Sequence, residues 1–359
     1  MTRGRAVAIA GAGIIGMSIA WRLAQRGWQV TVFDKGSIGS EASWAGAGML
    51  SPGGEVERPS DWAALSIESH RLYAGFVREL EAESGVPIDY QKCGALQLAY
   101  SEREWEDAQA RATVQASTGI ETKPLTAKQV ATFLPRIRSE DLAGALFYAG
   151  DAIVDPRDVM AALKGACNKA GVSVLEDAAV RRVVVRANDI NIEAESHTET
   201  CGAVVIAAGA WSSSIEISGV PAFPAAEPVK GYLLGYRQPA QTCGTIVRHG
   251  HTYLLQRANG LLIAGSTEER SGFDRGIDPK QVEALHRSAA YLMPHLSETY
   301  LGENTPMEAW AGFRPASDAL QLGSWHSKRV LLAYGHFRNG ILLAPVTAER
   351  IADELDKLA

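Results

Sequence analysis

The stretch AVAIAGAGIIGMSIAWRLAQRGWQVTVFD, residues 6–34, decides how the rest of the chain is read. Ala6–Ala10 is a short apolar run that enters a glycine turn, GAGIIG, and the turn opens an apolar helix through about Ala24. A second run, QVTVF, ends at Asp34, eighteen residues beyond Gly16. Each glycine has a mechanical reason: Gly11 permits the tight turn, Gly13 lets backbone amides approach a pyrophosphate, and Gly16 lets helix and strand pack closely. The helix start adds unpaired N–H groups and the positive end of its dipole. Asp34 is placed to accept hydrogen bonds from an adenosine ribose, and an acid at this point speaks against a 2′-phosphate. Three spaced glycines alone are weak evidence. Strand, glycines, helix, strand and acid in that order predict a dinucleotide-binding βαβ unit. Early arginines before an apolar stretch also fit a secretory leader, but the regular glycines weaken a leader helix and are required by the turn.

Bulk properties narrow the rest. A chain of 359 residues suits two domains, and 46% hydrophobic content is ample for a core. Lys and Arg number 35 against 41 Asp and Glu, a net charge of −6, with no basic block, which argues against nucleic acid as main partner. The cysteines Cys93, Cys167, Cys201 and Cys243 form no CxxC pair, as expected for reduced, structural thiols in a cytoplasmic protein. No uninterrupted apolar run is long enough to span a bilayer.

Downstream, GSEASWAGAGMLSP (39–52) reads as a long small-residue loop whose Ala and Gly let a flat ring lie on backbone, with Ser43 free to bond phosphate or ribityl oxygens. Residues 58–85 read as an amphipathic helix with Trp62, Leu65, Leu72, Phe76 and Leu80 on its core face. CGALQLAY is strand-like, a polar helical stretch covers about 101–117, and Asp155 caps a helix that Pro156 begins and Gly171 closes. VSVLE, AVRRVVVRA and INIEAE follow as strands, and AVVIAAGAWSS (203–213) is a buried strand ending in a turn at Gly209. GYLLGY, GTIVRHG, HTYLLQR and GLLIAG predict an antiparallel sheet. The return to βα material after each excursion predicts an α/β fold with a discontinuous dinucleotide domain (1–90, 150–225, 305–359) and a second domain from 91–149 and 226–304. His249 and His251 are two apart, but no Cys or Glu partner for a metal is evident, so none is expected.

GAGIIG with Asp34, AGAGML, VVIAAGAWS, HTYLLQR, WAGFRP and GHFRNGILLAP (335–345) occur in this order. Together they resemble the D-amino-acid oxidase superfamily of flavoproteins, and within it the glycine oxidases linked to thiamine biosynthesis. The resemblance covers essentially the whole chain. It implies a Rossmann-type FAD-binding domain interleaved with a substrate domain built on a large antiparallel sheet, and a homotetramer. It implies oxidation of a small amino acid (glycine, sarcosine, D-alanine) to an imine that yields glyoxylate and ammonia or enters thiazole assembly, with O2 giving H2O2. Carried over by position, Ile14 and Ile15 lie in the phosphate turn, and Asp34 with Lys35 face the adenosine. Ala42, Ser43, Ala47, Gly48 and Met49 line the flavin, and the Val180 backbone holds the adenine. His336, Phe337, Arg338, Asn339, Gly340, Ile341 and Leu342 lie beside the ring's pyrimidine edge. Arg314 clamps the substrate carboxylate with help from Tyr253, Arg338 is near the same pocket, and His251 shares the Tyr253 strand face. Ala42 replaces a frequent threonine, and Trp44 is bulky enough to narrow the entry. No cysteine near 314–318 and no histidine in 39–49 is present to link the flavin, so FAD is expected to be noncovalent.

The chemistry suits these residue types. Presenting a Cα–H bond to an acceptor is mainly a positioning problem. A planar guanidinium grips a carboxylate in bidentate fashion, and a neutral amine needs no acid–base residue. Arg338 either contacts substrate or braces its loop against backbone carbonyls. Other readings are a D-amino-acid dehydrogenase or sarcosine oxidase of the same superfamily, and, outside enzymes of this kind, a flavin-bearing RNA-modification or structural module.

Overall fold

In the computed structural model, which describes residues 5–195, 197–297 and 307–358, Ala6–Ala10 lies inside a six-stranded sheet. It pairs in parallel with Gln29–Phe33 on one side and Ala203–Ile206 on the other. Val330–Tyr334 joins in parallel beyond the latter, Ser173–Leu175 closes one edge, and Gln321–Ser324 closes the other antiparallel. The period of two splits each strand between two cores. Val7 and Ile9 pack under the helices Ile14–Gln25, Asp61–Ser84, Pro156–Lys169 and Gly340–Asp356. Ala8 and Ala10 pack against a four-stranded sheet that contains Val180–Val185 and Ile190–Ala194. Helices on one face and a small sheet on the other leave the carboxyl ends of the parallel strands free, where α/β sheets bind ligands.

The second large element is an eight-stranded sheet. Its order runs Met307–Ala316, Glu227–Arg237, Leu261–Gly265, Thr252–Gln256, Ile246–His249, Ala95–Ala99, Gly144–Tyr148, Lys123–Leu125. All neighbours are antiparallel except Ile246–His249 with Ala95–Ala99, which are parallel. Met307–Ala316, in a stretch grouped above with the dinucleotide half, thus pairs with Glu227–Arg237. One face of this sheet is sealed by Tyr232, Leu254 and Leu262 against the helix Pro279–Leu292, which Asp278 caps by accepting from the Lys280 amide. That helix falls inside the 226–304 stretch expected to be rich in short strands. The other face turns toward the dinucleotide half.

Three expectations are corrected. Helix Asp61–Ser84 buries Ala63, Ser66, Ser69, Tyr73, Phe76, Val77 and Leu80, while Trp62 and Leu65 are half-buried and Leu72 is 39% exposed. Its core face is set by small residues that let the closing helix approach, and the Ser69 hydroxyl donates to the Leu342 carbonyl at 2.7 Å. Residues 39–52 are not an open loop. They hold a helical turn, Ala42–Ala45, and a strand, Met49–Leu50, that pairs with Ala152–Val154. The small residues there serve close backbone packing: a Cβ on Gly48, whose φ is +99°, would fall 1.8 Å from the Val154 carbonyl oxygen. Finally, Trp44 turns outward, with the Arg157 guanidinium 3.9 Å from its ring centroid, and does not narrow the site. Among the described residues, no helix is long and apolar enough to cross a membrane.

Candidate active site

One cavity of about 950 Å³ runs between the carboxyl ends of the six-stranded sheet and the inner face of the eight-stranded one. At its first end lie Gly11, Gly13, Ile14 and Ile15. A Cβ on Gly11 would stand 2.3 Å from the Ala207 carbonyl oxygen, so only glycine fits between two strand ends. Gly16 lies beneath the lining, where a Cβ would meet the Gly11 oxygen at 1.8 Å, which is the close helix–strand packing expected of it. No side chain caps the helix start at Gly13, so first-turn amides face the cavity. The Ile14 amide is the exception, since it donates to Ser43 Oγ at 2.9 Å. Ser43 is therefore engaged as an acceptor on one lone pair and keeps its proton to donate.

Asp34 and Lys35 line the next portion. The Asp34 carboxylate accepts from the amides of Ala12 at 2.6 Å and Gly36 at 2.9 Å. Burial nonetheless raises its pKa, with those two bonds acting in the opposite sense. The Lys35 ammonium pairs with Glu41 at 2.6 Å and sits 4.0 Å from the Trp211 ring centroid. Val180 and Gly209 complete the wall.

The middle is formed by Ala42, Ala47, Gly48 and Met49 facing the final turn of 336–341. Phe337 there has φ +50°, a left-handed conformation that side chains rarely adopt and that sets the direction of Arg338. His336 is buried and hydrogen-bonds through Nε2 with Thr347 Oγ1 at 3.0 Å; burial pushes its pKa down to about 3, so the ring is neutral. Asn339, Gly340 and Ile341 line the cavity at the start of the closing helix. Leu342 does not. It points into the helical core at 1% exposure, because one more residue along the helix turns the side chain away.

At the far end, Arg314 and Tyr253 project from the large sheet. Arg314 Nη1 donates to the Thr267 carbonyl at 3.0 Å and Nη2 to Ser266 Oγ at 2.8 Å. Among the described residues it forms no ion pair, and burial lowers its pKa. Burial raises that of Tyr253, with the Arg314 charge opposing. A Cβ on Gly231 would fall 2.3 Å from both Arg314 terminal nitrogens, and one on Gly265 2.2 Å from the Tyr253 hydroxyl. These two glycines make the room that the anchors fill. Arg338 Nε donates to Glu55 at 2.9 Å, so of the two readings for it, substrate contact or loop bracing, the bracing one finds a carboxylate in place of backbone carbonyls. His251 lines the rim but lies on the exposed turn before the strand Thr252–Gln256, so it does not share the Tyr253 strand face. His249 contacts Glu104 at 3.3 Å.

Sequence reasoning missed Glu55, Ser266 and Gly231. The usable signal was the pair of glycines in GYLLGY, since glycine inside a strand marks close approach of another group.

A glycine phosphate turn at the carboxyl end of a parallel sheet, joined by one cavity to a half-buried guanidinium on an antiparallel sheet, suits an oxidoreductase that uses a dinucleotide cofactor. The FAD dependent oxidoreductase family, DAO, matches residues 6–354, and the chain belongs to it. It is 32% identical to the glycine oxidase of Geobacillus kaustophilus, over 99% of this chain and 94% of that one. It is 31% identical to the bifunctional protein ThiO/ThiG of a Synechocystis species, over 97% of this chain but 51% of that longer one. The crystal structure of the Geobacillus enzyme superposes with a TM-score of 0.90 at 31% identity, covering 98% of this chain and 94% of the other. The enzyme uses FAD. The residues present fit that group: Gly11 admits no side chain, with a Cβ only 2.3 Å from the Ala207 carbonyl oxygen, a Cβ on Gly13 would crowd Ser43 Oγ at 3.2 Å, and the uncapped amides suit a diphosphate.

Proposed function

We propose that the protein oxidises glycine and small relatives such as sarcosine and D-alanine to the imine, which hydrolyses to glyoxylate and ammonia or feeds thiazole assembly in thiamine biosynthesis. The observation that carries this reading is Arg314, a half-buried cation with no ion-paired partner among the described residues, in the cavity that begins at the glycine turn. Its fork accepts a carboxylate in bidentate fashion, held in aim by Thr267 and Ser266. The Tyr253 hydroxyl, kept protonated by burial, donates to the same carboxylate. Fixing the acid end leaves the amine and the Cα–H bond directed at the middle of the cavity, where small residues and the 336–341 turn accommodate a flat ring. FAD, noncovalently held, supplies the two-electron acceptor that O2 regenerates with release of H2O2. No side chain is required to take a proton from Cα, because a neutral amine can release hydride directly. The Gly340–Asp356 helix start adds a positive dipole end beside the ring.

Anaerobic mixing with a panel of small amines tests this reading. Glycine or sarcosine should bleach the yellow absorbance, and air should restore it with H2O2. In Arg314→Met, kcat/KM should fall about a hundredfold, as loss of a desolvated charge partner of about 3 kcal/mol implies. Reduction by dithionite but by none of the amino acids defeats the substrate assignment.

A further inference from the structure

The cavity end that holds Arg314 contains a second guanidinium, Arg338, and a carboxylate that no motif announced, Glu55. Glu55 ends the helical turn Pro52–Glu55, and its side chain is 18% exposed; Arg338 is 51% exposed and reaches it with Nε at 2.9 Å. Arg314 and Tyr253 both lie within electrostatic reach of Arg338 and Glu55, so the four groups share one field. Glu268 acts on Arg314 more strongly than Arg338 or Glu55 does, but it is exposed and outside the cavity lining, so it occupies none of the space a second acid group would take. Of the other cations along the cavity, Arg248 is tied to Asp151, Lys35 to Glu41 and Arg181 to Glu195, while Arg111 lines the stretch beside Asp107 and Ala108.

Two guanidiniums in one pocket would favour two acid groups, and a carboxylate bonded to one of them cancels that preference. We propose that Glu55 is a specificity-determining residue that restricts the site to amines bearing a single acid group, by occupying Arg338 and leaving Arg314 alone to hold the substrate carboxylate. The inference rests on the amino-acid oxidase reading for its substrate class. On this scheme the second arginine, on the 336–341 turn, does not draw in diacids, because a diacid must displace Glu55 and leave that carboxylate unpaired beside its own charge. Glu55 acts through Arg338 and is a positioning residue in this scheme.

Acetate and malonate, titrated into the FAD-loaded enzyme and read by perturbation of the flavin spectrum, give the ratio of diacid to monoacid affinity without turnover. The wild-type enzyme should favour acetate. In Glu55→Gln the ratio should move toward malonate by about tenfold, the size of one like-charge contact removed. Reduction by iminodiacetate should gain relative to glycine in the same sense, through KM more than kcat. Glu55→Asp, which keeps the charge, should retain the wild-type order. Arg338→Met gives an independent arm if the glutamine variant does not fold. It leaves Glu55 unneutralised beside Arg314 and should weaken both acids, malonate more. A malonate-to-acetate ratio within about twofold of wild type in either folded variant, or a wild type that prefers malonate, overturns the proposal. If no amino acid reduces the wild type, the oxidase reading fails instead, while the two titrations still report on Glu55.

Discussion

Arg314 and Tyr253 can point into the cavity only because the strands beside them lack side chains at Gly231 and Gly265. A methyl group at 231 must displace a guanidinium whose bonds to Thr267 and Ser266 fix its aim. Gly231→Ala should therefore lower kcat/KM for glycine by at least about tenfold, since misplacement of a positioning group is costly out of proportion to the shift. Its thermal midpoint and FAD content should stay near wild type. A variant with unchanged kinetics would show that the guanidinium relaxes freely. At this scale legibility divides by kind. Arg314 and Tyr253 announce themselves by chemistry inside WAGFRP and HTYLLQR, whereas Gly231 matters because of a neighbour two residues beyond its cross-strand partner, Gly312. Glu55 becomes visible only when Arg338, nearly three hundred residues away, folds onto it.

Elements whose ends carry local chemistry were legible. The helix Pro156–Lys169 starts where Asp155 and Pro156 say it must, with Asp155 accepting from the Arg157 amide at 2.9 Å. The same aspartate has a second duty that spacing does not reveal: it pairs at 3.1 Å with Arg257, which in turn donates to the Gly46 carbonyl of the cavity wall. Burial raises the Asp155 pKa and lowers that of Arg257, so the pair is costly to desolvate and costlier to break. Asp155→Ala should lose about 4 kcal/mol of unfolding free energy in urea, from an orphaned buried cation plus a lost cap. A loss near the 1 kcal/mol typical of a cap alone would assign Arg257 no dependence on its partner. The face of Asp61–Ser84 was misjudged for a related reason. Periodicity weighs large apolar residues, but this helix packs closely through Ala63, Ser66 and Ser69.

Stability of the whole molecule should carry the mark of His336. Its ring stays neutral in the fold, down to a pKa of about 3, whereas in the unfolded chain it takes a proton near pH 6.5. A depressed folded-state pKa means this contribution is complete above about pH 6.5 and is lost as pH falls toward about 3, with a total on the order of 4 kcal/mol. His336→Asn should flatten the decline in thermal midpoint between pH 7 and pH 5 relative to wild type; parallel curves would place the titration elsewhere. The sheet architecture was legible as a whole because glycine turn, strands and their order are local signals. Which strands meet was not, since Ala6–Ala10 finds one neighbour at Ala203–Ile206, and that strand finds its own at Val330–Tyr334. This wiring constrains how the enzyme is born. More than three hundred residues separate the phosphate turn from the 336–341 turn, and both line one cavity, so that cavity is complete only once both have folded. A variant truncated before residue 336 should therefore purify colourless however well its early strands have formed.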